Sequence, residues 1–261
     1  MLLALDAGNS DTVFGIHDGQ RWIHIWRTRS LVNEGPAHYE SILRLWLLEA
    51  GISPTTIQST VLSSVVPDLT PTLRAMLAGL FSQDPIVVSP AIYPLLPLEI
   101  LRPYEIGADL VANALAAHLT YQQNCVVVDF GTALTFTTVS ATGRMLGVAI
   151  APGLKTAVRS LFSNTAQLPE VPLEMPESAL GTNTTHAIQA GIMLGYEGLV
   201  RSLLARIRAE LDGNCLAIAT GGLVATIPTL HVEFTEVRQM LTLDGIRAIS
   251  QYVSAGAHQS R

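Results

Sequence analysis

The sequence predicts an α/β fold made of two halves, each a β-meander followed by helices, facing each other across a cleft. Two observations support this prediction. Residues 2–29 alternate as three short strands, whereas residues 39–49 and 71–81 carry the apolar period of helices. The same order of strands and then helices begins again at residue 125. We therefore expect domains at residues 1–115 and 116–261.

In the first half, residues 2–16 are predicted to form two strands around a turn, and residues 21–29 a third strand. Short strands at 60–65 and 85–88 alternate with the helices at 39–49 and 71–81. Four prolines between residues 90 and 103 indicate an extended connector. An alanine-rich helix is predicted at 107–121.

In the second half, residues 125–139 are predicted to form a hairpin that turns at Gly131, followed by a strand at 145–150. Helices are predicted at 154–162 and within 184–211, and a buried strand at 216–219. We expect Gly221-Gly222 to open a further helix, residues 231–237 to form a strand and residues 243–255 a closing helix.

Composition excludes several classes of protein. Of the 261 residues, 49% are hydrophobic and 14% charged, so the chain can bury a large core. A net charge of −6 without a Lys/Arg cluster argues against a nucleic-acid partner. No apolar run reaches the ~18 residues of a membrane helix. Two cysteines without a CxxC motif, and no targeting segment before the first strand, predict a cytoplasmic protein.

Three predicted buried strands end in polar turns that contain glycine. These turns are Asp6-Ala7-Gly8-Asn9-Ser10, Asp129-Phe130-Gly131-Thr132 and Thr220-Gly221-Gly222. Glycine lets a backbone approach phosphate oxygens closely, and hydroxyls and N–H groups donate to them. One such turn usually only connects two strands, but three of them, two with an acid, favour nucleotide binding.

These turns, in this order with Gly107-Ala108-Asp109 between them, resemble type III pantothenate kinases of the acetate/sugar kinase–Hsp70–actin superfamily. Further similar stretches are Pro152-Gly153-Leu154, residues 164–169 and Gly181 with Thr184. The resemblance implies two RNase H-like (actin-like ATPase) domains facing across a nucleotide cleft. It also implies transfer of the γ-phosphoryl of ATP to pantothenate, the first step of coenzyme A synthesis. Mg²⁺, a monovalent cation (K⁺ or NH₄⁺) and a homodimer are implied as well.

The resemblance assigns roles to residues, and the sequence leaves a simpler role open for most of them. Asp6 would hold Mg²⁺ while Gly8, Asn9 and Ser10 donate to phosphates, although an acid on a turn also caps backbone N–H groups. Asp109 would be the general base; alternatively it is an ordinary acid at a helix N-terminus, where the helix dipole favours its ionised form.

The remaining roles concern the second half and the substrate. Asp129 matches the acid assigned to the monovalent cation, or it helps to organise Mg²⁺. Thr184 matches a threonine that touches pantothenate, or it caps a helix. The other implied contacts are Gly107 and Ala108 to substrate, Gly131 and Thr132 to phosphates, and Gly221 and Gly222 to adenosine, unless the last two form a plain turn.

Three positions depart from the family pattern, all on the substrate side. Leu110 replaces the arginine that usually follows Gly-Ala-Asp, Ile100 replaces a tyrosine, and Val148 replaces a glycine. Arg102 is a candidate replacement for the missing guanidinium. Two alternatives therefore stay open: a kinase for another small hydroxylated substrate, and a non-catalytic nucleotide-binding regulator.

Overall fold

The computed structural model describes residues 1–163 and 169–259, so most of the family-like stretch 164–169 lies outside the described residues. The chain forms two compact units. Unit 1 comprises Met1–Ala116 together with Leu241–Arg261, and unit 2 comprises Ala117–Met240. The predicted division placed the closing helix with the second half, whereas here that helix belongs to unit 1.

The strands and helices follow the predicted order closely. The strands are β1 (Leu2–Ala7), β2 (Asp11–His17), β3 (Trp22–Arg29), β4 (Ser59–Ser64), β5 (Ile86–Val87), β6 (Cys125–Phe130), β7 (Ala133–Val139), β8 (Met145–Pro152), β9 (Leu216–Thr220) and β10 (Glu236–Val237). The helices are α1 (Pro36–Glu49), α2 (Thr70–Phe81), α3 (Ala108–Tyr121), α4 (Leu154–Ser163), α5 (Thr184–Gln189), α6 (Gly195–Glu210) and α7 (Leu241–Gln259).

Unit 1 is built on a five-stranded sheet of order β3-β2-β1-β4-β5. Strand β1 pairs antiparallel with β2 and parallel with β4. Alternate residues Leu3 and Leu5 of β1 are fully buried and share a core with Tyr39 and Leu43 of α1 and Leu73 of α2. Because successive strand side chains point to opposite faces, Asp6 lies on the opposite face of the sheet from this core.

Helix α7 packs against β1 and β4 of unit 1 and contacts the N-terminal half of α3. Gly245 approaches the Ala112 carbonyl so closely that an added Cβ would lie 2.0 Å from its oxygen. Thr242 donates to Asn113 (2.8 Å), and the Trp22 indole N–H donates to Asp244 (2.8 Å). These contacts explain why the closing helix joins the first unit.

Unit 2 repeats the plan of unit 1. Its sheet has the order β10-β9-β6-β7-β8, with β6 antiparallel to β7 and parallel to β9. Val126, Val128 and Phe136 pack with Val200 and Leu204 of α6 in one core. Both cysteines are buried free thiols, and burial raises the pKa of Cys125 to about 12, as fits an inert core residue.

The segment after β9 differs from the prediction. Gly221-Gly222 opens only a 3₁₀ turn at Val224–Thr226 rather than a helix, and the predicted strand 231–237 shrinks to the two residues of β10. Pro228–Glu233 is a 3₁₀ helix instead. Two arginines of α6, Arg201 and Arg208, pair with Glu233 at 2.6 and 3.3 Å and anchor this 3₁₀ segment to α6.

Helices α5 and α6 form the predicted helical stretch, joined by a π-helical turn at Ala190–Leu194. Across residues 1–163 and 169–259, none of the helices has the length and apolar character required to span a membrane.

Candidate functional site

The first polar turn connects β1 to β2 in unit 1. The Gly8 N–H donates to the Asp11 carbonyl (3.0 Å), and the Ser30 hydroxyl donates to the Gly8 carbonyl (2.6 Å). Asn9 and Ser10 are exposed at the tip, whereas Asp6 is partly buried at the end of β1. The turn is therefore held in one conformation by hydrogen bonds, and sequence reasoning missed the contribution of Ser30.

Asp6 stands beside Ser63, its register partner on the parallel strand β4. Ser63 is fully buried, and within the described part of the chain its hydroxyl has no hydrogen-bond partner. Buried hydroxyls are nearly always paired, so the Ser63 hydroxyl is a spare polar group beside the Asp6 carboxylate. Sequence reasoning passed over Ser63 because nothing in β4 itself indicates that this serine pairs with Asp6 of another strand.

Asp109 occupies the first turn of α3. Its Oδ1 accepts a hydrogen bond from the Leu110 N–H (2.8 Å). Burial raises the pKa of the Asp109 carboxyl, against the opposing effect of the backbone N–H groups of Leu110 and Asp109. The expectation that the helix terminus would favour ionisation is thus outweighed by desolvation. A carboxylate with a raised pKa is a stronger base, which suits the acceptance of a proton.

Asp6 and Asp109 belong to the same end of the unit 1 sheet. The residue after β4, Val65, donates its N–H to the Ala7 carbonyl (3.0 Å). The Val65 Cγ1 lies 3.4 Å from the point where a Cβ on Gly107 would stand. Gly107 leads directly into Asp109, so the strand end that carries Asp6 and the start of α3 are linked through Val65.

In unit 2, three turns meet around Asp129. An added Cβ on Gly221 would lie 2.6 Å from Asp129 Oδ1, and one on Gly153 would lie 2.2 Å from the Gly131 carbonyl oxygen. The Gly153 N–H donates to the Thr132 carbonyl (2.9 Å). The predicted residues Asp129, Gly131, Thr132 and Gly221 therefore lie together, while Gly222 is exposed beside them.

The Pro152-Gly153 turn that supports this cluster is itself fixed by α6. The Tyr196 hydroxyl donates to the Pro152 carbonyl (2.5 Å) and lies 3.3 Å from the Gly153 carbonyl oxygen. The Thr156 hydroxyl adds a bond to the Thr132 carbonyl (2.8 Å). Sequence reasoning noted the Pro-Gly turn but missed Tyr196, for which the sequence offers no local signal.

Thr184 lies elsewhere in unit 2. The α5 N-cap is Asn183, whose side chain accepts the His186 N–H at 2.9 Å, so the alternative of Thr184 as a helix cap is wrong. Thr184 instead lines a cavity of about 540 Å³ with Leu161, Gly181 and Ile188. A threonine hydroxyl beside apolar side chains suits a small ligand with both polar and aliphatic parts.

The departures from the family pattern have different settings. Leu110 is only 7% exposed and belongs to the core of unit 1, although its backbone N–H still serves Asp109. Arg102 forms an exposed ion pair with Glu105 (3.0 Å). Val148 is exposed on β8, and Ile100 is partly exposed.

No group of three or more His, Cys, Asp or Glu side chains is placed to hold a metal within the described ranges 1–163 and 169–259. A magnesium ion that accompanies a nucleotide needs only one or two protein carboxylates, because phosphates and water complete its octahedron. Asp6 and Asp129 each place one carboxylate near the end of an inner strand.

The two units share one mixed five-stranded sheet plan, with a polar turn after β1 and after β6, and this is the two-domain α/β fold of actin-like proteins. The chain is similar in structure to a Baf family protein from Campylobacter jejuni (TM-score 0.60, 18% identity, 97% of this chain and 99% of that one). It is also similar to MreB 5 of Spiroplasma citri bound to AMPPNP (TM-score 0.54, 9% identity, 100% and 98% covered).

The family follows from the sequence comparisons. The family model for type III pantothenate kinase matches residues 2–206. A type III pantothenate kinase from Treponema pallidum (strain Nichols) is 42% identical over 258 residues, which cover 97% of this chain and 94% of the relative. The chain belongs to the type III pantothenate kinase family.

Proposed function

We propose that this protein transfers the γ-phosphoryl group of ATP to the primary hydroxyl of pantothenate, giving 4′-phosphopantothenate and ADP. Membership in the family supports the substrate. The observation that carries the catalytic assignment is the Asp109 carboxyl, which has a raised pKa and lies at the sheet end that bears Asp6.

Asp109 acts as the general base. It accepts the hydroxyl proton while the oxygen–phosphorus bond forms and the bond from phosphorus to the ADP oxygen breaks. Because the transition state of phosphoryl transfer is loose, the protein contributes mainly position and charge stabilisation. A base is most effective when its pKa is near the working pH, as burial favours here.

Asp6 is proposed to hold Mg²⁺ together with the nucleotide phosphates, with Gly8, Asn9 and Ser10 donating to phosphate oxygens. The oxygen donors at this turn match what Mg²⁺ prefers, and the orphan Ser63 hydroxyl adds a polar group beside Asp6. When bound, Mg²⁺ neutralises charge on the phosphates.

Asp129 is proposed to bind a monovalent cation, K⁺ or NH₄⁺, and helping to organise Mg²⁺ is the alternative. Its register partner on β7, Thr135, has a buried hydroxyl without a partner among the described residues. Because Gly221 has no Cβ, its backbone can approach Asp129 Oδ1 closely. Gly131 and Thr132 would contact phosphates, and Gly221 and Gly222 would contact adenosine.

Gly107, Ala108 and Thr184 are proposed to bind pantothenate. The protein is further proposed to act as a homodimer in the cytoplasm. Edge strand β8 supports the dimer, because its alternate residues Leu146, Val148 and Ile150 expose 40%, 38% and 68% of their surface.

The experiment is an ADP-release assay with ATP and Mg²⁺, run with and without pantothenate and with and without K⁺. Pantothenate-dependent turnover that collapses without K⁺ is expected. Turnover with a different hydroxylated compound in a substrate panel would change the assigned substrate. The panel is included because Leu110 replaces the arginine that usually follows Gly-Ala-Asp. ATP binding without any turnover would instead indicate a regulator.

The pH profile of kcat/KM provides a second test. Because burial raises the pKa of Asp109 and a base must be deprotonated, activity should fall on the acid side at a pH above ~4, the ordinary range of aspartate. An acid limb at or below ~4 would contradict the assigned base.

Asp6→Asn should weaken the metal interaction while leaving the fold intact. We expect the Mg²⁺ concentration for half-maximal activity to rise by ~10-fold or more, since one carboxylate is lost from a site with few protein ligands. Mn²⁺ binding to the ATP complex, followed by electron paramagnetic resonance, should weaken in parallel. The matched control is Asp11→Asn, which removes only an exposed ion pair with Arg27 (3.2 Å). Equal metal dependence in both variants would refute the role of Asp6.

A further inference from the structure

The backbone of Gly107 packs directly against the carboxylate of Asp109. A Cβ on Gly107 would lie 2.4 Å from Asp109 Oδ1 and 3.6 Å from its Cγ, while Val65 Cγ1 would be 3.4 Å away on another side. Non-bonded carbon and oxygen atoms do not approach to 2.4 Å, so the carboxylate occupies the space that any other residue would need.

The backbone conformation does not explain this glycine. Among the described residues, those glycines with a left-handed φ are Gly19, Gly51, Gly143, Gly213 and Gly221, and Gly107 is not one of them. An alanine at this position would meet the neighbouring carboxylate rather than a forbidden φ.

We propose that Gly107 is the positioning residue for the catalytic base: its lack of a side chain lets the Asp109 carboxylate fold back to the start of α3. There Oδ1 receives the Leu110 N–H at 2.8 Å. The consequence for catalysis rests on the proposed role of Asp109, but the steric coupling between the two residues does not.

A methyl group at position 107 has little room, because Val65 Cγ1 is already in contact distance. The carboxylate must therefore rotate away and lose its bond from the Leu110 N–H. Since that bond lowers the pKa of Asp109, its loss raises the pKa further. The Tyr93 phenol interacts electrostatically with Asp109, and its own pKa of about 12, raised mainly by burial, keeps it neutral over the pH range of the assay.

The decisive experiment is a double-mutant cycle read by thermal unfolding. Gly107→Ala is introduced into the wild type and into Asp109→Ala, in which the opposing oxygen is gone. We expect the loss of Tm from Gly107→Ala to be larger in the wild type by ~3 °C or more, and to shrink in the second background, where no carboxylate oxygen opposes the methyl group. An equal loss in both backgrounds overturns the proposal.

The double-mutant cycle tests the steric coupling between Gly107 and Asp109 even if the Gly107→Ala variant does not fold. Folding of Gly107→Ala/Asp109→Ala, when Gly107→Ala alone fails, supports the steric coupling, and failure of both overturns it. If no form phosphorylates pantothenate, the proposed function fails while the cycle still tests the positioning of the carboxylate.

Kinetics then test the consequence for catalysis. Gly107→Ala should lower kcat by ~10-fold or more and shift the acid limb of the pH profile upward, with the KM for ATP within about twofold of wild type. Gly79→Ala is the matched control: this glycine lies in α2 of the same unit and has no atom within 4 Å of an added Cβ. An unshifted pH profile in Gly107→Ala would contradict the positioning role.

Discussion

Replacing Asp109 with asparagine is expected to lower kcat with pantothenate by at least ~10²-fold while ATP binding stays nearly intact. Asparagine keeps the size of the side chain but cannot accept a proton from the attacking hydroxyl. The measurement is steady-state turnover together with calorimetric titration of ATP. Retained turnover in this variant would remove Asp109 from the role of general base.

The same substitution should stabilise the fold. Burial raises the pKa of Asp109, so the ionised carboxylate is less favourable in the folded than in the unfolded chain. At a pH above the folded-state pKa, asparagine removes this unfavourable charge and Tm should rise. The gain should shrink as pH falls through that pKa, because wild-type Asp109 then becomes neutral as well. A Tm gain that is independent of pH would contradict the link between the raised pKa of Asp109 and the stability of the fold.

Gly221→Ala is expected to give the second large effect, on both stability and nucleotide binding. Gly221 has a φ of +96°, and its added Cβ would lie 2.6 Å from Asp129 Oδ1 and 2.7 Å from the Phe130 backbone nitrogen. Strain and overlap together should destabilise the protein by ~2–4 kcal/mol. Because Asp129 must move, the affinity for ATP and the activation by K⁺ should decrease as well as the stability.

Gly222→Ala is the control for this prediction. It changes the next residue of the same turn, yet a Cβ at that position meets no atom within 4 Å and its φ is not left-handed. Chemical denaturation of the two variants should separate them clearly, and ATP titration is compared only between Gly221→Ala and the wild type, because Gly222 is itself proposed to contact adenosine. Similar behaviour of both would mean that the turn tolerates a side chain at Gly221 and that the Asp129 cluster is not tightly packed.

Much of the fold could be predicted from the sequence because its signals are local. The alternation in residues 2–29 and the helical period of residues 39–49 correspond to β1–β3 and α1. The closing helix was predicted as a helix, but its place on unit 1 depends on Gly245 meeting Ala112, more than a hundred positions earlier. A single sequence carries no signal for such a pairing.

The candidate site, like the fold, could be predicted only where its signals are local in the sequence. The turns at Asp6, Asp129 and Thr220 follow buried strands, so their positions at the sheet ends could be predicted. Ser63 and Tyr196 could not, because their roles depend on partners brought together only by folding. The direction of the pKa shift of Asp109 was also missed, since a helix position indicates the dipole but not the burial.

The most direct test of the central claim is the identity of the product. Purified protein, ATP, Mg²⁺, K⁺ and pantothenate would be followed by ³¹P nuclear magnetic resonance, with mass spectrometry of the pantothenate-derived product. The account predicts a new phosphomonoester signal that grows with ADP and belongs to pantothenate carrying one phosphoryl group on its primary hydroxyl. ADP formation accompanied only by inorganic phosphate, with pantothenate unchanged, would contradict it.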